Sequence, residues 1–249
     1  MSLNFSFEKD LFYLKKLALP SRYYYFNDEQ NYLKLLTVGE GLFPKDRIKT
    51  NIELFDSDVV CSTESATKIY PSKKEFSISK IDITLTNSNF EFINDELILH
   101  RDARFLQFID LKCDDRSTFF YGDILSHGRS FEEFDFTYMG AKNSFKIDSD
   151  TEYLEKYILD KSSLSSYIHD MKTDKKIFAK IYIKTKENDT FYNTLLEKQF
   201  NSFAFTKNKK MLIGVLSDTK MSSLKKKLLR IWEIYRNSIG KKQFNLGKQ

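Results

Sequence analysis

Glycine and proline are scarce in this chain, 8 and 3 among 249 residues. There is no GxGxxG and no Walker loop, which removes the glycine cradles that hold nucleotide phosphates. Asn and Asp must therefore supply most of the turns. Cysteine occurs twice, at Cys61 and Cys113. That excludes a disulfide framework and any CxxC pair, and it fits a reducing, cytoplasmic setting. The three histidines, His100, His127 and His169, stand far apart, with no HExxH, and no GxSxG nucleophile elbow occurs. No apolar run approaches the ~18 residues that cross a bilayer. The segment from Met1 to Asp10 has neither a basic n-region nor an apolar h-region, so no export signal is expected.

What the chain does have is aromatic and charged. Phe and Tyr number 23 and 14, and aromatics make up 15% of residues. Such side chains favour strands and large packed surfaces. The net charge is +5 and the pI about 8.9, with both signs interleaved. This falls short of the clustered basic surface of a nucleic-acid binder, so nucleic acid is an unfavoured partner.

Hydrophobic alternation dominates the first two thirds. Residues 1–30 read as irregular, with short strands at Leu11–Leu14 and Arg22–Phe26. Strands are expected at Asn31–Leu36, Ile48–Val60, Phe76–Leu85, Phe90–Leu99, Arg104–Cys113, Phe119–Leu125 and Phe131–Phe136, with Gly39-Glu40-Gly41 as a turn. A strand roughly every 10–15 residues without helical period between them implies an antiparallel or solenoid-like β layer, not βαβ units. Residues 148–171 are ambiguous between strand and helix. The last third changes character: a strand at Ile177–Ile183, a short helix Thr190–Phe200 capped by Asp189, a strand at Met211–Leu216, and a long amphipathic helix opened by Ser217/Asp218 and stopped by Gly240. The fold class is mainly β, α+β in its last third, with two C-terminal helices. One domain over 1–249 is expected, with a β body over about 1–186 and a helix-containing part over about 187–249.

Candidate chemistry is sparse. His100, His127, Cys61 and Cys113 could form a weak, transient metal site, or the cysteines could be small buried hydrophobes. The pairs Glu132-Glu133, Asp114-Asp115 and Asp148/Asp150 do not make a two-carboxylate site, because neighbours on a strand point to opposite faces. Lys225-Lys226-Lys227 lies on the polar flank of the long helix. The apolar flank, with Leu228, Ile231, Trp232, Tyr235 and the adjoining Arg236, reads either as a partner-binding surface or as a cover for the chain's own sheet. Gly128-Arg129 reads either as a bulge with a structural arginine or as an interface contact.

One local sequence is distinctive: Cys61-Ser-Thr-Glu-Ser-Ala-Thr-Lys-Ile-Tyr70. Its Thr63, Ala66, Lys68 and Tyr70 resemble the Thr-x-x-Ala-x-Lys-x-Tyr signature of the urease accessory protein family UreD, called UreH in some organisms. Leu35-Leu-Thr-Val-Gly-Glu-Gly-Leu42 with Lys45-Asp46 is similar to that family's glycine-rich segment. Phe90–Leu99, Gly122-Asp123, Gly128-Arg129, Ile213-Gly-Val-Leu216 and Ile231-Trp-Glu-Ile-Tyr-Arg236 match later segments in order, covering residues 20–240. Glu40 interrupts the double glycine, Asn94-Asp95 stands where a proline is usual, and Ser130–Phe134 lacks the family's glycine.

The resemblance implies a β-helix-like scaffold without catalytic residues or a stably bound cofactor. It implies partners: UreF, the GTPase UreG and apo-urease, with nickel passing in transit. Thr63, Ala66, Lys68 and Tyr70 would hold a strand junction or a partner surface. The competing reading is a nucleic-acid-binding or other interaction module rich in β-structure.

Overall fold

The computed structural model describes residues 2–39, 41–126, 128 and 134–247. Glu40, His127, Arg129, the Glu132-Glu133 pair and the first half of the strand expected at Phe131–Phe136 lie outside them. Phe134–Phe136 form no strand.

Two sheets face each other. The first is ordered β13 (Asp150–Leu159), β12 (Tyr138–Ile147), β10 (Arg104–Cys113), β8 (Ser77–Thr86), β5 (Arg47–Phe55), β1 (Ser2–Glu8) and β2 (Leu11–Leu17). The second is ordered β15 (Phe203–Phe205), β16 (Leu212–Asp218), β14 (Ile177–Lys184), β11 (Thr118–Ser126), β9 (Asn89–Leu99), β6 (Asp58–Thr63), β4 (Asn31–Thr37) and β3 (Ser21–Phe26), with β7 (Thr67–Ile69) beside β9. The middle pairs of both sheets are parallel and the outer ones antiparallel. From β5 to β12 the chain steps from one sheet to the other and back, so each circuit adds one strand to each. This is the solenoid alternative of the sequence reading.

The corners explain why one expected strand is two. Ile48–Val60 breaks at Asp56, whose φ of 47° turns the chain out of the first sheet, and Ser57 begins the passage into the second. Asn87 does the same at φ 46°. The serines that follow form a ladder across circuits: Ser57 N–H donates to Ser88 Oγ at 3.1 Å, and Ser88 N–H donates to Ser117 Oγ at 3.1 Å. Buried backbone N–H groups need such partners. Asp114, which receives the Asn87 and Ser117 N–H groups, and Asp148, which receives that of Asp115, are corner acceptors of the same kind.

The amino-terminal segment read as irregular contains β1, whose Leu3, Phe5 and Phe7 alternate into the core between the sheets. The ambiguous stretch resolves into β13 and a helix α1 (Lys161–Asp170), capped by Asp160, whose carboxylate accepts the Ser163 N–H at 2.8 Å. The short C-terminal helix α2 spans Asn188–Glu197, with Asp189 in its first turn and not at its cap. Phe191 and Leu195 of α2 are buried, while Leu196 faces outward. The long helix α3 runs over Met221–Ser238, with Gly240 beyond it at φ 73°. Asp218 precedes α3 and accepts from Ser223 Oγ and Lys227 Nζ at 2.7 and 2.6 Å. Helices α2 and α3 cover the outer face of the second sheet, against Ile181, Ile183 and Leu212. Among the described residues no helix is long and apolar enough to cross a membrane.

Candidate functional site

The distinctive 61–70 segment forms a junction. Thr63 ends β6 and its Oγ1 accepts the Asp95 N–H at 2.7 Å. Lys68 works through its backbone: its carbonyl accepts the Leu42 N–H at 2.8 Å, and Leu42 O in turn accepts the Tyr70 N–H at 2.9 Å. Gly41 sits at φ 142°, and a Cβ there would overlap the Lys68 carbonyl, so this approach requires glycine. The Tyr70 ring stacks on Phe43, centroids 4.6 Å apart and 4° from parallel, and lies 5.4 Å from the His100 ring. Ala66 and the Lys68 side chain are half-buried, as is Gly128.

Thr63, Ser65 and Thr67 line one wall of a cavity of about 690 Å³ held between the two sheets. Most of its wall is apolar, but one end is not. There Asn94 Nδ2 donates to the Asp123 carboxylate and to Tyr121 Oη, and Gln107 Nε2 donates to Asp123 Oδ2 at 2.8 Å. Facing them, Glu155 accepts from Lys180 Nζ and Asn143 Nδ2, both at 2.6 Å, from Tyr153 Oη at 2.9 Å, and from Tyr182 Oη. Burial raises the Asp123 carboxyl to about 6 against the pull of these donors and of Lys180. Burial also acts on Glu155, but its donors, Lys180 foremost, outweigh it and hold that carboxyl below its ordinary range. The two acids thus differ in proton affinity although they share one chamber.

None of Asp123, Glu155, Lys180 or Asn143 was a candidate from sequence. A signal was present. Asp123 lies two residues beyond Tyr121 on β11 and shares its face, but the Phe119-Phe120-Tyr121 run is buried on both faces, so only the polar Asp123 within an aromatic strand was a hint.

The metal candidates do not converge. Cys61 and Cys113 are buried in the apolar core as free thiols, on strands of opposite sheets. Burial pushes the Cys61 thiol well up and the Cys113 thiol to about 12, so neither is a ready thiolate ligand. His100 is buried beside Tyr70. Among the described residues no three His, Cys, Asp or Glu side chains are grouped to hold a metal ion.

The expected partner surface on α3 needs correction. Leu228, Ile231, Trp232, Tyr235 and Arg236 are all at most 2% exposed. Trp232 Nε1 donates to Glu91, Tyr235 Oη to Asn89 Oδ1 at 2.6 Å, and Arg236 to both Glu91 oxygens. This face covers the chain's own sheet. The outward flank is different: Lys198, Lys226, Leu229, Arg230, Glu233 and Ile234 line a shallow groove of about 400 Å³. Of the lysine run, Lys225 is bound to Asp95 and Glu96 and Lys227 to Asp218, leaving Lys226 outermost.

The family model described as UreD urease accessory protein matches residues 18–246. A urease accessory protein UreD of Aliarcobacter butzleri (strain RM4018) is 55% identical over 250 residues, covering 100% of both chains. One from Staphylococcus epidermidis is 31% identical over 172 residues, 65% of this chain and 58% of its own. One from Bacillus sp. (strain TB-90) is 29% identical over 129 residues, 51% of this chain and 48% of its own.

Proposed function

The chain belongs to the UreD family of urease accessory proteins, and from that premise we propose that it is a non-catalytic scaffold that assembles with UreF and the GTPase UreG on apo-urease and lets nickel pass through its interior. Its role in urease maturation follows from the family. The passage rests on one observation above all, the cavity between the sheets with a carboxylate-bearing end. A conduit needs dispersed oxygen donors, because a closed set of soft ligands would hold the ion. Asp123, Glu155, Asn143 and Gln107 supply oxygen donors, and the two thiols are withdrawn into the core. The cytoplasm is the expected site of action, in keeping with free cysteines.

The outward groove of α3 is the surface we assign to UreF. It joins the apolar Leu229 and Ile234 to charged rims, the composition of an interface centre within a polar margin.

Ser79 lines the cavity, and Ser79→Trp would put an indole into it and narrow it. In cells carrying the urease and accessory genes, this variant should still co-purify with UreF while the nickel content of urease falls at least about tenfold. Full nickel loading with the indole in the cavity would reject the passage.

A further inference from the structure

The polar end of the cavity holds more negative than positive groups. Asp123 on β11 stands directly opposite Lys180 on β14, and Asn143 on β12 directly opposite Glu155 on β13 in the other sheet. Side chains so placed have Cβ atoms roughly 4.5–5.5 Å apart. The Lys180 ammonium reaches across the gap to Glu155 Oε2 at 2.6 Å and lies 4.6 Å from the centre of the Tyr157 ring. One ammonium therefore serves two carboxylates. In addition Asn143, 2% exposed and part of the cavity wall, has its Oδ1 without a hydrogen-bond partner. An unpartnered oxygen beside two carboxylates that share one ammonium makes a place for a cation, and Lys180 already occupies it.

Resting on the reading that a divalent cation traverses this cavity, we propose that Lys180 is a tethered counter-cation that keeps the passage from becoming a trap. An entering ion must displace the ammonium from Glu155, and the ammonium, which cannot leave, competes for the same oxygens and expels the ion again. The Tyr157 ring offers the displaced ammonium a second seat through its π face. Lys184, four residues on, cannot take this part, since its Nζ is committed to the carbonyl oxygens of Asp115 and Ser117, both at 2.7 Å. Without the Lys180 charge, Asp123, Glu155 and the Asn143 oxygen become an uncompensated oxygen site, and a divalent ion gains what the ammonium gave up.

The test is calorimetric titration of Ni²⁺ alone into the purified full-length chain at about pH 8, where both carboxylates are ionised. Lys180→Met should bind at least about tenfold more tightly than the unsubstituted chain. Lys180→Arg, which keeps the charge, should stay near the unsubstituted value. Lys180→Met combined with Asp123→Asn and Glu155→Gln should lose the gain. Lys180→Gln carries the same comparison if the Met variant does not fold. Equal affinity in Lys180→Met and the unsubstituted chain, or equal tightening by Arg and Met, overturns the proposal. Failure of the passage itself is separate. It shows as full urease loading in Ser79→Trp, whatever Lys180→Met binds.

Discussion

Arg236 on α3 grips both carboxylate oxygens of Glu91 on β9, at 2.9 and 2.8 Å, and the two residues are 2% and 0% exposed. The remaining donors of the guanidinium go to Gln30 Oε1 and to the Lys242 carbonyl, both at 2.7 Å. A helix, the second sheet and the tail beyond the helix therefore meet at one ion pair. Removing one partner leaves a buried, uncompensated charge. Arg236→Met should lower unfolding stability by about 3–5 kcal/mol, and adding Glu91→Gln should restore part of it, so that the double variant loses less than the sum. Urea unfolding followed by the fluorescence of Trp232, the single tryptophan, reads this directly, because its Nε1 bonds to the same Glu91.

The corner ladder makes a second prediction. Ser88 Oγ accepts from the buried Ser57 N–H and donates to Thr86 O at 2.7 Å. Ser88→Ala leaves that N–H without a partner and should cost about 1–3 kcal/mol in urea unfolding. Ser149 stands in an Asp-Ser-Asp run too, but in the exposed hairpin turn between β12 and β13, so Ser149→Ala should change stability by less than about 0.5 kcal/mol. Equal effects at the two sites would mean that the ladder does not bear on stability.

Much of this fold is legible in the sequence, and the part that is not has a physical cause. Alternation found β8 to β11 within a residue or two, and the 3.6 period found α3. Alternation does not say which sheet a strand joins. That information lies in Asp56-Ser57-Asp58 and Asn87-Ser88-Asn89, a repeat 31 residues apart that marks the same corner in successive circuits. The apolar stripe of α3 was visible, but a stripe looks alike whether it meets its own sheet or another protein. Glu91 could have decided the matter, since a carboxylate in a fully buried strand needs an Arg from somewhere. The Thr63–Tyr70 signature was readable as a marker. That Lys68 acts through its carbonyl depends on Gly41 coming close, a contact no local pattern reports.

Asp123 makes stability depend on pH. Its carboxyl is raised from 3.8 to about 6 by burial. Between these values the folded chain binds a proton that the unfolded chain has released. Folding is therefore favoured below about pH 4 relative to above pH 6, by roughly 3 kcal/mol for this group alone. Asp123→Asn removes the titration. The stability difference, unsubstituted chain minus Asp123→Asn, should fall by that amount as pH rises from about 4 to 7 and then level off. A difference that is flat with pH would show that Asp123 is ionised throughout. The comparison with one variant cancels the other carboxylates, whose shifts act in the opposite direction, as for Glu155 and Asp114.

The two flanks of α3 should separate docking from folding. Ile234 is half-buried at the outward groove, whereas Trp232 is 2% exposed against the sheet. Ile234→Arg places a charge where an apolar partner surface would sit, at a half-buried position on the margin of the core cluster and not within it. It should weaken UreF co-purification by about 2 kcal/mol or more, at least roughly thirtyfold, while stability in urea falls by no more than about 1 kcal/mol. Trp232→Ala should instead cost about 3–5 kcal/mol of stability through the cavity it opens. If the folded fraction of Trp232→Ala still captures UreF as well as the unsubstituted chain, the inward face has no contact with the partner. If Ile234→Arg leaves capture unchanged, the groove is not the proposed docking surface and is only surface relief.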